Sequence, residues 1–102
     1  MAISTNTATS STLHQLCHAP SVWTNCINQL GALWQPNDAL LLLGSAAQGV
    51  YDPRLNAFKT VYVLQADLDI LGITADQIQG KILSYDQWAQ LVLQHQRHMT
   101  WK

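Results

Sequence analysis

Charge is scarce in this 102-residue sequence: five Lys and Arg stand against six Asp and Glu, together 11% of the chain. The cations are Arg54, Lys59, Lys81, Arg97 and Lys102, and they form no cluster. A protein that grips a phosphate backbone sets several cations on one face, so direct binding of nucleic acid is not expected. Nor can so few charges carry solubility, and a partner subunit covering part of the exterior is the expectation. Cysteine is equally sparse. Cys17 and Cys26 match neither C-x-x-C nor a zinc-ligand spacing, so no metal is expected. No basic-then-apolar leader pattern is visible. The expected compartment is the reducing cytoplasm, where both cysteines are thiols rather than disulfide partners. There is no glycine-rich phosphate fingerprint to imply a nucleotide cofactor. Gly44-Ser45-Ala46 lacks the flanking pattern of a nucleophile elbow. No repeat or linker interrupts a length that suits one domain.

What the sequence does have is grease. Hydrophobic residues make up 48% of it, which excludes a disordered chain. They concentrate in Asp38-Ala39-Leu40-Leu41-Leu42-Leu43-Gly44. Alternate side chains of a strand point to opposite sides, so four consecutive leucines cannot leave one face wet. The run is far shorter than the ~20 apolar residues of a membrane span. It belongs in the interior of a mostly parallel sheet with helices on both faces. Burying four leucines contributes roughly 6–12 kcal/mol as an upper figure, comparable to the net stability of a small domain.

Around this ribbon the chain reads in order. Residues 1–11 are almost all Ser, Thr, Ala and Asn and are expected to form a mobile tail. Thr12 to Leu16 is a short strand. From Ser21 the period turns helical, with Val22, Trp23, Cys26, Ile27, Leu30, Leu33 and Trp34 forming one apolar stripe, and Gln35-Pro36-Asn37-Asp38 ends it. After the leucines, residues 44–51 suggest a short helix and residues 52–56 a turn. Thr60 to Leu64 is β-branched and aromatic, a strand. Asp67 to Gly72 is a short helix ending at a glycine, residues 73–80 a further turn or loop, and Lys81 to Leu83 a brief strand. Ser84-Tyr85-Asp86-Gln87 matches a capping box. It opens a last helix with Trp88, Leu91, Val92 and His95 on its period and Ala89 and Leu93 widening its apolar face. A closing tail, residues 99–102, follows. Alternation of strand and helix implies right-handed crossovers in an α/β domain spanning residues 12–102.

Several of these pieces, in this order, resemble the TusB/DsrH family of sulfur-relay subunits. They are Leu13-His14 with a loop to Pro20; the run Asp38 to Leu43 followed by Ala46 and Ala47; Val61-Tyr62-Val63-Leu64 leading to Asp67-Leu68 and Gly72; Ser84-Tyr85 with Trp88; and the closing Trp101. The resemblance covers roughly residues 12–102. It implies a DsrE-like α/β fold and assembly with TusC-like and TusD-like subunits as a heterohexamer of three chain types. In the Tus branch, such a complex takes persulfide sulfur from a TusA-like donor. It passes the sulfur through a TusE-like acceptor towards 2-thiolation of the wobble uridine of certain tRNAs. There the D subunit bears the sulfur-carrying cysteine and the B subunit is mainly structural. In the Dsr branch the architecture serves dissimilatory sulfur oxidation, and the H subunit has a cysteine of its own in the first-helix region.

Individual residues are weighed against plainer roles. Cys26, on the apolar stripe of the first helix, reads as a small core residue; the chemical alternative is a persulfide carrier, which needs thiolate character and access. Cys17, in a loop beside His18, is a weaker carrier candidate. His14 reads as a satisfied, partly buried histidine, or else as a polar contact in a subunit interface. His95 and His98 fall three apart near one face of the last helix; with no carboxylate or cysteine beside them, they read as a solvated helix end rather than a metal site. Tyr51 and Trp101 are the favoured interface anchors. The resemblance, together with the absence of any catalytic constellation, implies an accessory subunit of a sulfurtransferase complex, not an enzyme on its own. The alternatives are a DsrH-like subunit that carries sulfur itself and a freestanding small-ligand-binding module using the loop after Leu43.

Overall fold

The computed structural model describes residues 11–74 and 80–101. Residues 1–10 of the expected tail, 75–79 of the expected loop before the fourth strand, and Lys102 lie outside the described residues. Five strands, β1 (Thr12–Leu16), β2 (Ala39–Leu42), β3 (Val61–Leu64), β4 (Lys81–Leu83) and β5 (Arg97–Trp101), form one sheet in the order β4-β3-β2-β1-β5. Every neighbouring pair is parallel. The helices are α1 (Trp23–Leu33), α2 (Gln65–Leu71) and α3 (Tyr85–Gln94), with 3-10 turns at Pro20–Val22, Gly44–Gly49 and Pro53–Ala57.

The leucine ribbon lies mid-sheet as β2, and Ala39, Leu40, Leu41 and Leu42 are each at most 2% exposed. Leu40 and Leu42 point into one cluster with Leu16, Val61 and Val63, closed by Trp23 and Leu30 of α1, Ala46, Ala47 and Leu55 of the 3-10 turns, and Leu68 of α2. Ala39 and Leu41 point the other way, against Leu13, Leu64, Leu83 and Leu91 of α3. This division follows from handedness. The chain steps β1 to β2 to β3 to β4 in one direction, so right-handed crossovers put α1, the turns and α2 on one face. It then reverses to reach β5 beyond β1, so α3 must cross the opposite face.

Several expectations at the helices need correction. The stripe of α1 is narrower than its period suggests: Val22 is 60% exposed and Leu33 50%. Val22 ends a 3-10 turn built on Pro20, and Leu33 is the last helical residue, so both fall outside the stretch that faces the sheet. On α3, Ala89 is exposed and Leu93 is 85% exposed, so neither widens the buried face. The Ser84–Gln87 capping box is present in both directions, and Gly72 caps α2 at φ 70°, a left-handed conformation that suits glycine.

The larger correction is β5. The last helix stops at Gln94, and residues 97–101 are a fifth strand rather than a tail. The Arg97 N–H donates to the Ser11 carbonyl and the Cys17 N–H to the Trp101 carbonyl. Ser11, counted with the tail from composition, is buried at that junction. Four of the five side chains of β5, an edge strand, are exposed.

Candidate functional site

The register of β1 and β2 places a histidine beside a carboxylate. His14 sits opposite Leu40 and Leu13 opposite Ala39. Asp38, two residues before Leu40, therefore shares the face of His14. His14 Nε2 lies 3.0 Å from Asp38 Oδ2, and the two side chains are each 1% exposed. Asp38 also accepts the Thr12 N–H on Oδ1 at 2.9 Å and the Gln35 N–H on Oδ2 at 3.0 Å. Burial by itself would raise the Asp38 pKa. The hydrogen bonds from His14, Gln35 and Thr12 outweigh it and hold the carboxyl below its ordinary value.

Trp101 fixes which ring nitrogen of His14 donates to Asp38. Its indole Nε1 donates to His14 Nδ1 at 3.1 Å. An indole N–H can only donate, so Nδ1 carries the lone pair and Nε2 carries the proton that Asp38 receives. The contact from His14 Nε2 to the Asp38 carboxylate is thus a charge-assisted hydrogen bond. Trp34 stacks on it at 5.5 Å between centroids, and Phe58 packs on Trp34 at 4.9 Å. In a hydrolase, the nitrogen distal to the carboxylate would face a nucleophile. Here an indole occupies that position, and the pair ties β5 and β1 to the entrance of β2.

Of the expected interface residues, His14 is therefore interior to the chain. Tyr51 is 47% exposed, with its hydroxyl donating to the Thr74 carbonyl at 3.1 Å. Trp101 is half-buried, its polar edge turned in to His14. Beside them a groove of about 820 Å³ is lined by His14, Leu33, Gln35, Asn37, Arg97 and Met99, among others.

The two thiols lie apart from this network. Cys26 is partly buried on α1 against the larger core cluster, and burial pushes its thiol pKa up. That is the opposite of the depressed pKa a sulfur carrier uses. Cys17 is half-buried just after β1, at the carboxyl end of the sheet where open α/β folds place functional loops. The next loop residue, His18, spends its carbonyl on the Trp23 indole N–H at 2.6 Å. Arg54 stacks 5.3 Å over that same indole and pairs with Asp52 at 2.8 Å.

His95 and His98 do not share a helix face, contrary to their spacing. His95 follows α3 and His98 is in β5. Their rings donate back to the Leu91 and Val92 carbonyls in the last turn of α3 at 2.9 and 2.8 Å. Among the described residues no three His, Cys, Asp or Glu side chains gather as a metal site would require. No helix there is long and apolar enough to cross a membrane.

Residues 21–98 match the family model described as DsrH like protein. The chain belongs to the DsrH-like family. DsrH-like proteins are generally subunits of sulfur-relay complexes, and membership supports such a role for this chain. The fold is also that of the ychN protein from E. coli, whose crystal structure superposes with a TM-score of 0.73 at 14% identity, over 90% of this chain and 99% of that one. At that identity the likeness shows a shared α/β architecture, as expected of a parallel sheet flanked by helices. A search of curated proteins returned no match.

Within the DsrH-like chain, sequence reasoning singled out His14 and Trp101 but took Asp38 only as the start of a strand. A signal was present. A lone carboxylate at the mouth of a strand otherwise wholly apolar must be buried with it, and burial obliges a partner.

Proposed function

We propose that this DsrH-like chain is an accessory, non-catalytic subunit of a cytoplasmic persulfide-relay complex of the TusBCD type. In this reading it assembles with TusC-like and TusD-like subunits as a heterohexamer. The complex takes sulfur from a TusA-like donor and hands it to a TusE-like acceptor, for 2-thiolation of tRNA wobble uridine. The observation that carries the reading is the Trp101 indole on His14. The buried His14–Asp38 pair is committed to holding the sheet together, and the Cys26 thiol is pushed away from thiolate by burial. A chain so equipped frames a partner's cysteine. Exposed Tyr51 and half-buried Trp101 are its contact candidates.

Co-expression tests this. The chain should co-purify with C-type and D-type subunits in one stable assembly, and Tyr51→Ala should weaken that assembly far more than it lowers the melting temperature of the lone chain. A chain that ignores both partners while folding normally overturns the reading. The dissimilatory alternative, with sulfur carried on Cys26 or Cys17 of this subunit, draws some support from the place of Cys17 at the carboxyl end of β1.

A further inference from the structure

β5 closes one side of the sheet, and its hydrogen bonding shows which of its backbone groups remain outside. The Arg97 N–H goes to Ser11 and the Trp101 carbonyl receives the Cys17 N–H. In a parallel pair the N–H and C=O of one residue point to the same neighbour, and alternate residues point to opposite sides. Arg97, Met99 and Trp101 therefore bond to β1, while His98 and Thr100 turn their N–H and C=O groups outward. The order β4-β3-β2-β1-β5 puts no strand beyond them among the described residues. Such an edge is a template for another strand.

The outward groups sit symmetrically about Met99, and from this we infer that β5 pairs antiparallel with β5 of a second copy, about a two-fold axis at Met99. In that register His98 faces Thr100 of the other copy and Thr100 faces its His98, each pair exchanging two main-chain hydrogen bonds. Met99, 39% exposed, meets its own counterpart on the axis. Arg97 falls opposite Trp101 of the other copy, on the same face and in the closely spaced type of pair, where a guanidinium can lie over the indole. No two like charges stand directly opposite one another. The choice of a second copy rests on this complementarity, which a strand of other sequence would not reproduce. An axis normal to the sheet also brings together the two grooves beside Leu33 and Met99. A heterohexamer of three chain types holds this chain twice and so accommodates the axis. The pairing is read from β5 alone and does not depend on that assembly.

Sedimentation velocity of the purified full chain over a range of concentrations tests the inference. Wild type should show a monomer–dimer equilibrium. Thr100→Pro removes an outward N–H while leaving the β1 ladder intact, so it should give monomer with an unchanged thermal melt. Met99→Lys and Met99→Glu alter an exposed side chain, keep the fold testable if the proline variant does not fold, and place like charges on the axis. Each alone should dissociate at least about tenfold more readily, and mixing the two should restore the dimer. A wild-type chain that stays monomeric throughout overturns the inference. So does a dimer indifferent to the Met99 variants, or a mixture of folded Met99→Lys and Met99→Glu chains that fails to reassociate.

Discussion

Replacing Asp38 by Asn tests the buried clamp with an almost isosteric change. The carboxylate accepts three hydrogen bonds: Thr12 N–H on Oδ1, and Gln35 N–H with His14 Nε2–H on Oδ2. An amide offers one oxygen. Whichever way it flips, its NH2 group faces at least one donor, and the other bonds lose their charge assistance. Leaving a buried donor unpaired costs about 1–3 kcal/mol, and a hydrogen bond to a charged group is worth about 1.5–3 kcal/mol. A loss of about 3 kcal/mol at neutral pH is expected, equivalent to a fall of roughly 12–24 °C in Tm for a domain of this size. The sign of the pH dependence follows from the depressed pKa of Asp38. Its contribution is fully present above the unfolded value of about 3.9 and is lost as pH falls through the lower folded value. The gap between wild type and Asp38→Asn should therefore be widest near neutrality and shrink below about pH 4. Urea denaturation followed by tryptophan fluorescence at several pH values measures this. A variant within about 0.5 kcal/mol of wild type at pH 7 refutes the clamp, and so does a gap that does not shrink in acid.

Three further outcomes follow from the same structure. Leu41→Ala, at a site 0% exposed against α3, should cost about 2–5 kcal/mol in equilibrium denaturation; a loss below 1 kcal/mol would mean that face is not packed as described. Ser84→Ala deletes half of a reciprocal cap and should cost about 1 kcal/mol by the same assay. Alkylation of Cys26 by iodoacetamide should be slower at neutral pH than for a peptide thiol and should accelerate only at higher pH than usual, since burial raises its pKa; mass mapping of the labelled site reads this out.

Much of the architecture was legible because burial on two sides leaves a mark in one dimension. Leu40 to Leu42 forced a covered strand, although the fourth leucine, Leu43, falls just beyond it at the start of a 3-10 turn and is half-buried; Val61 to Leu64 and the Ser84 box needed only local rules. β5 escaped because its side chains face water; Arg97-His98-Met99-Thr100-Trp101 carries no alternation when neither face must be apolar, and only hydrogen bonds to β1 make it a strand. The apolar period likewise misjudged Val22, Leu33 and Leu93, since a stripe marks which residues could face a core and not how far the core extends. The site was half legible. His14 and Asp38 are 24 residues apart and meet through the β1–β2 register, while Trp101 joins them from the far end of the chain. Spacing alone carries none of that.

Intact-mass spectrometry of the assembled complex after exposure to a persulfide donor asks directly whether this chain accepts sulfur itself. The expected result is the mass of an added sulfur atom on a partner's cysteine and an unchanged mass for this chain. An added sulfur on this chain, lost on Cys26→Ser or Cys17→Ser, would contradict it.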